Sequence, residues 1–168
     1  MNIEQITKIF YAKYGLAMHN AQALECGLLE LYAIKCYIND GITENEYYRI
    51  LGNPKKWTLG KINSLITKLS IFDNETLEKL RKANQYRIFL AHNFWWERDI
   101  ELENPRNLWE LHEELGQYVL FLNKLLYVVD NMINAIRKES NLNIEEKMEL
   151  TDFQERLAYI KKLKESKT

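Results

Sequence analysis

A chain of 168 residues with a formal net charge of −1 is long enough for one domain with a real core. It lacks the global positive charge of a protein that binds nucleic acid by bulk electrostatics, so any phosphate contact must rest on a local basic patch. The opening MNIEQITKIF has no signal-peptide profile, no unbroken apolar run reaches 18 residues, and no CxxC or Cys/His cluster has zinc spacing, so the expectation is a reduced, cytosolic, metal-free protein with no membrane span.

With two prolines and six glycines the chain has few breaks, and its apolar spacing is helical almost throughout. Residues 3–14 put Ile3, Ile6 and Phe10 on one face, and Gly15 marks an expected bend. A longer helix over 16–38 follows, with Ala17, Ala21, Leu24, Leu28, Leu31 and Ile38 as its apolar stripe and Tyr32 and Ile34 widening it. It carries Cys26 and Cys36, about 15 Å apart along the axis and too far for a disulfide. Asn39-Asp40-Gly41 supplies residues that tolerate a left-handed cap. Thr43-x-x-Glu46 has the capping-box pattern for a short helix over 44–51, closed by Gly52-Asn53-Pro54. A basic connector over 55–61 leads into a helix over 58–69. Asp73 is the expected N-cap of the next helix, with Glu75 in the first turn, where the helix dipole favours an acid.

That helix ends in the stretch the chain is organised around, residues 86–96, Y-R-I-F-L-A-H-N-F-W-W. A helix hydrophobic nearly all round is normally buried, and an arginine or imidazole placed there needs compensation. Counted from Asn74, the apolar stripe is Leu77, Leu80, Asn84, Ile88, Ala91 and Trp95, which puts Arg87 and His92 roughly 70° to either side of it. Two copies of the helix meeting across a two-fold axis would gather two arginines and two histidines into one cleft.

Residues 97–103 are charged and expected as loop, and Asn104-Pro105 fits an N-cap and first helical position. From Leu108 a 3-4 spacing runs through Leu111, Leu115, Tyr118, Leu122, Leu125, Val129, Met132 and Ile136, the pattern of long helix-on-helix packing, with Gly116 allowing a bend. Asn143-x-x-Glu146 and Thr151-x-x-Gln154 offer caps for a last helix or helix pair before a basic tail over about 161–168. The expected fold is all-α: one domain over 1–168, an up-and-down bundle of five or six helices.

A helical bundle carrying Arg87-x4-His92 late in its third or fourth helix, with Leu90-Ala91-His92 between apolar neighbours, resembles the HEPN superfamily (higher eukaryote and prokaryote nucleotide-binding domains). The other histidines, His19 and His112, have Tyr14 and Asn107 five residues earlier, so the pattern falls on His92. The resemblance implies a homodimeric, metal-independent endoribonuclease of the toxin or antiviral-defence type, needing no cofactor and answering to an antitoxin or regulatory protein. It assigns Arg87 to the scissile phosphate and His92 to acid–base transfer, leaving 2′,3′-cyclic phosphate and 5′-hydroxyl ends. Many active members have a polar residue after the arginine; here it is Ile88, and Asn93 and Asn84 are candidates to supply that hydrogen bond. In toxins silenced by nucleotidyltransferase partners, a tyrosine stands two residues after the histidine. Phe94 has no hydroxyl to modify there.

Each of these residues also has a structural reading. Arg87 can pair with a buried carboxylate, for which Glu25 in LECGLLELY is the candidate, and His92 can be a hydrogen-bonded core histidine. Trp95 and Trp96 read as core aromatics or base-stacking surfaces, and Glu97-Arg98-Asp99 as a solvated turn or a cleft rim. Lys55, Lys56, Lys61, Lys68, Arg81 and Lys82 are either an RNA path or ordinary surface cations. The competing function is a catalytically silent helical module that binds a partner protein, a nucleotide or RNA.

Overall fold

Helical spacing becomes helix over nearly all of the chain that a computed structural model describes, residues 3–52, 56–102 and 104–140, and no strand forms among them. The chain divides into two compact units, 1–133 and 134–168. Of the second, the described part is the end of the last helix and the turn after it. Lys55, the cap motifs at 143–146 and 151–154 and the tail over 161–168 lie outside the described residues.

Helix α1 runs unbroken over Ile3–Asn39, so the bend expected at Gly15 does not form. A β-carbon at Gly15 would meet nothing within 4 Å; one glycine lowers helix propensity without breaking a helix that packs well on either side. Phe10, Ala17, Ala21, Leu24, Leu28, Leu31 and Ile34 are fully buried, whereas Ile3 and Ile38 are exposed. Burial reaches past one stripe, to Leu29, Ala33 and Cys36, because other helices pack around α1 on several sides. Both cysteines are free. The helix stops where Gly41 takes a φ of +64°, a left-handed value that favours glycine.

Helix α2, Glu44–Leu51, opens on the full capping box between Thr43 and Glu46. Helix α3, Leu59–Lys68, is capped by Thr58, and α4, Asn74–Ile88, by Asp73. The chain then widens into a π turn, Phe89–Asn93, before α5, Phe94–Glu97. Helix α6, Asp99–Leu102, occupies part of the stretch expected as loop, and α7 spans Pro105–Glu139.

Antiparallel packing is recorded in the paired side chains. Against α1, Arg87 meets Glu25 while Trp95, further on, meets Tyr14 and Phe10. Against α7, Lys82 lies over Phe121 and Arg98 reaches Glu114. Helix α7 therefore runs parallel to α1, joined by an amide pair, Asn20 to Asn123 at 2.8 Å, and by Val129, whose Cγ1 would lie 3.2 Å from a β-carbon at Gly27. Leu108, Leu111, Leu115, Leu122, Leu125 and Val129 are buried as spaced, but Val119 and Ile133 take the buried places expected for Tyr118 and Met132. The pattern drifts because a straight helix turns every 3.6 residues, not 3.5. Averaged over its richest 18-residue window, residues 107–139 of this helix reach a mean hydropathy of 1.3, enough by length and composition to cross a membrane. Only 33% of that window is buried; Leu120, Tyr127 and Val128 face outward.

Gly15 sits in the middle of a helix with open space beside it. Gly15→Ala is expected to raise the unfolding free energy by roughly 0.5–1 kcal/mol through helix propensity alone, measurable as a higher urea midpoint. A lower midpoint would contradict the unbroken helix.

Candidate functional site

The π turn shapes everything around it. In an α-helix the Phe94 amide would donate to the Leu90 carbonyl; here it donates to Phe89, one residue further back. The Leu90 carbonyl accepts instead from the Tyr14 hydroxyl of α1 at 2.7 Å. The Trp95 indole N–H donates to that same hydroxyl oxygen at 3.1 Å. Phe10, Tyr14, Phe94 and Trp95 pack ring against ring around this joint, with Tyr14 and Trp95 centroids 4.8 Å apart.

Burial along α4 follows Leu80, Ala83, Leu90 and Phe94. The expected stripe through Leu77, Asn84, Ile88 and Trp95 is displaced from this row by one residue. Leu77 and Asn84 turn toward α3, while Ile88 is 44% exposed and Trp95 36%. Trp96 is 86% exposed, so it is not a core aromatic. The inward row steps seven positions from Ala83 to Leu90, and Arg87 fills the interval. The arginine is not beside the seam; it lies in it.

There its Nε stands 3.7 Å from Glu25 Oε2, with both side chains largely buried. That is an ion pair but too long for a hydrogen bond, and among the described residues no hydrogen bond reaches the Arg87 guanidinium. Burial pushes the Glu25 carboxyl above its ordinary 4.5, and Arg87 offsets only part of the rise. Arg98 behaves differently. It donates from Nη2 to both oxygens of Glu114, at 2.9 and 3.1 Å, reaches Glu101 at 3.2 Å and lies over the Phe89 ring. Glu114 also accepts from the Tyr118 hydroxyl at 2.5 Å, and burial, then Glu114, pushes that phenol far above its usual range. Residues 97–99 are therefore not a solvated turn at Arg98; it clasps α7.

His92 is exposed, not a core histidine, and no hydrogen bond reaches it from the described residues. Five α-helical steps from Arg87 would place it roughly 140° away round the axis, less what the widened turn takes up. One helix thus holds Arg87 inward and His92 outward. The supporting amides do not join them: Asn93 donates to Glu97 at 3.1 Å, and Asn84 lies over Gly60. Of the basic residues, Lys61 sits on Trp57 and Lys82 on Tyr86 and Phe121, while Lys68 and Arg81 line a groove between α3 and α4. No group of three or more His, Cys, Asp or Glu among the described residues could hold a metal ion.

Tyr14, Arg98, Glu114 and the buried amides Asn20 and Asn63 escape a reading of sequence alone. Tyr14 touches Leu90 across 76 positions, and no local pattern announces that. Asn20 does leave a trace, as a polar residue between Ala17 and Ala21 on the inward side of α1. Comparison with family models, with curated proteins and with solved structures returns no match to this chain.

A carboxyl whose pKa is higher folded than unfolded weakens the fold as pH climbs through the interval between the two values, because the unfolded chain ionises first. Glu25 is such a group. Relative to Glu25→Gln, the native protein is expected to lose stability as pH rises from about 4.5 through the raised folded value, and to match the variant below that interval. Urea melts across pH measure this. A native protein that gains on the variant with rising pH would show that the Arg87 pair, not burial, dominates.

Proposed function

We propose that this chain is a metal-independent endoribonuclease of HEPN type that works as a homodimer, with Arg87 and His92 as its catalytic residues. The observation that carries the reading is the contrast between two of its half-buried arginines, Arg98 and Arg87. Arg98 donates through both Nη atoms to Glu101 and Glu114, and only its Nε has no partner among the described residues; Arg87 is held in place by Glu25 yet makes no hydrogen bond at all among the described residues. A fixed guanidinium with unused donors is suited to a phosphate, which accepts its planar fork bidentately. His92, exposed and free of hydrogen bonds from the described residues, is suited to proton transfer with a group that arrives from outside.

In this reaction the ribose 2′-oxygen attacks the adjacent phosphorus and gives up its proton. The bond from phosphorus to the 5′-oxygen breaks, and that oxygen takes a proton, leaving a 2′,3′-cyclic phosphate and a 5′-hydroxyl. Arg87 binds the phosphoryl oxygens as negative charge builds on them, and His92 carries a proton to or from one of the two reacting oxygens. Because one helix holds the pair on different sides, the working site combines Arg87 of one copy with His92 of another across a two-fold axis. The setting in our reading is cytoplasmic toxin or antiviral action under an antitoxin or regulatory partner, and it rests on the family resemblance.

The second reading, a silent helical interaction module, draws on the outward Trp109, Leu120, Tyr127 and Val128 of α7. Cleavage of mixed RNA in EDTA separates the two. The nuclease reading expects cyclic phosphate ends from the native protein and a rate lower by about 10²–10⁴ in His92→Ala and comparably in Arg87→Ala, with the helical circular dichroism spectrum unchanged. Equal activity in the native protein and both variants would remove these residues from the chemistry.

A further inference from the structure

A groove of about 500 Å³ runs between α3 and α4, within the roughly 300–1,000 Å³ of pockets that hold small molecules. Its lining is mostly hydrogen-bonding side chains on an apolar floor of Leu77 and Leu80. Asn63, only 8% exposed, donates from Nδ2 to the Leu80 carbonyl at 2.9 Å, and its Oδ1 has no partner among the described residues. A buried acceptor left unpaired is unfavourable, so a donor that reaches it from the groove relieves it. Asn84 and Gln85 present two further amides, and two cations stand at the side: Lys68, with no ion pair among the described residues, and Arg81, which is paired with Glu78.

The groove also has a direction. Arg81, Gln85, Ile88 and His92 recur at helical spacing and are all exposed, forming one line that leaves the groove and ends on the imidazole. Gln85 and His92 are about 10 Å apart along the axis.

We infer that this groove is a nucleotide subsite for single-stranded RNA and that it selects adenine. It rests on the ribonuclease reading for its purpose, though not for its chemistry. Lys68 and Arg81 take a phosphate. Asn84 faces the base with an amide, the group that pairs bidentately with adenine N6 and N7, and Asn63 Oδ1 accepts from an exocyclic amino group, which uracil lacks. The strand then follows the exposed line to His92, so that cleavage falls a short, fixed distance from a bound adenosine.

The test is titration of the full chain with adenosine 3′-monophosphate, uridine 3′-monophosphate and inorganic phosphate, by calorimetry. The adenosine nucleotide is expected to bind about fivefold or more tighter than the uridine nucleotide, with phosphate alone weaker than either. Asn84→Ala should reduce the preference, leaving the part that Asn63 Oδ1 supplies. Lys68→Gln combined with Arg81→Gln, both at the surface, should weaken both nucleotides alike. His92→Ala should leave binding as it is. Equal affinity for the two bases in the native chain, or unchanged binding in the double cation variant, would overturn the subsite. RNA mapping keeps the two claims apart. If the double variant cuts at the same positions and rate as the native chain, the subsite falls and the nuclease stands. If the native chain does not cut but shows the adenosine preference, the subsite stands and the nuclease falls.

Discussion

The hydroxyl of Tyr14 holds the one irregular turn in an otherwise continuous helix, and the arrangement of α4, α5 and their side chains depends on it. A π turn frees a carbonyl from the α-helical ladder; here that carbonyl, on Leu90, is taken by Tyr14, and the Trp95 indole completes the joint from the other side. Remove the hydroxyl and a main-chain acceptor at a fully buried residue loses its donor, an unfavourable change of about 1–3 kcal/mol. With the joint in place, Leu90 and Phe94 both face the core with Phe10, and the helix passes between them without exposing either. Arg87 enters this joint on the inward side and His92 leaves it on the outward side.

Two networks around the joint divide the polar work. Arg98, Glu114 and Tyr118 tie the end of the central segment to α7 with short hydrogen bonds, and the Asn20–Asn123 amide pair ties α7 to α1. In these networks side chains hydrogen-bond one another directly, although the Arg98 Nε has no partner among the described residues. The Arg87–Glu25 pair is open: charge meets charge at 3.7 Å without a hydrogen bond. The lack of a hydrogen bond is what distinguishes the Arg87–Glu25 pair from the Arg98–Glu114 pair in the same chain.

Much of the secondary structure was legible because it is written locally. Thr43 with Glu46, Asp73 and Gly41 each fix an element end through contacts within a few residues. The long row from Leu108 was legible for the same reason, since its period is its own signal. The all-α class follows from both. The inward row of α4 was harder to read. Leu77, Asn84 and Ile88 keep helical spacing and form a reasonable stripe, but a neighbour 17 residues earlier, Asn63, holds Leu80, and α3 draws Asn84 aside. The π turn had no sequence signal, because its cause is a tyrosine on another helix. Within the site, the Glu25–Arg87 pairing was readable from an acid in a largely apolar run, whereas the exposure of Trp96 was not, since it is an aromatic in the same run as the buried Phe94.

In the proposed nuclease, a helix that holds Arg87 and His92 on different sides requires each group to find its counterpart on another copy. Mixing Arg87→Ala protein with His92→Ala protein, each inactive alone, tests this. Exchange of subunits then creates pairs in which one copy supplies His92 and the other Arg87. The account predicts that cleavage of RNA in EDTA returns in the mixture. Mixed dimers that form, as shown by mass spectrometry, yet cut no faster than either variant alone would contradict it.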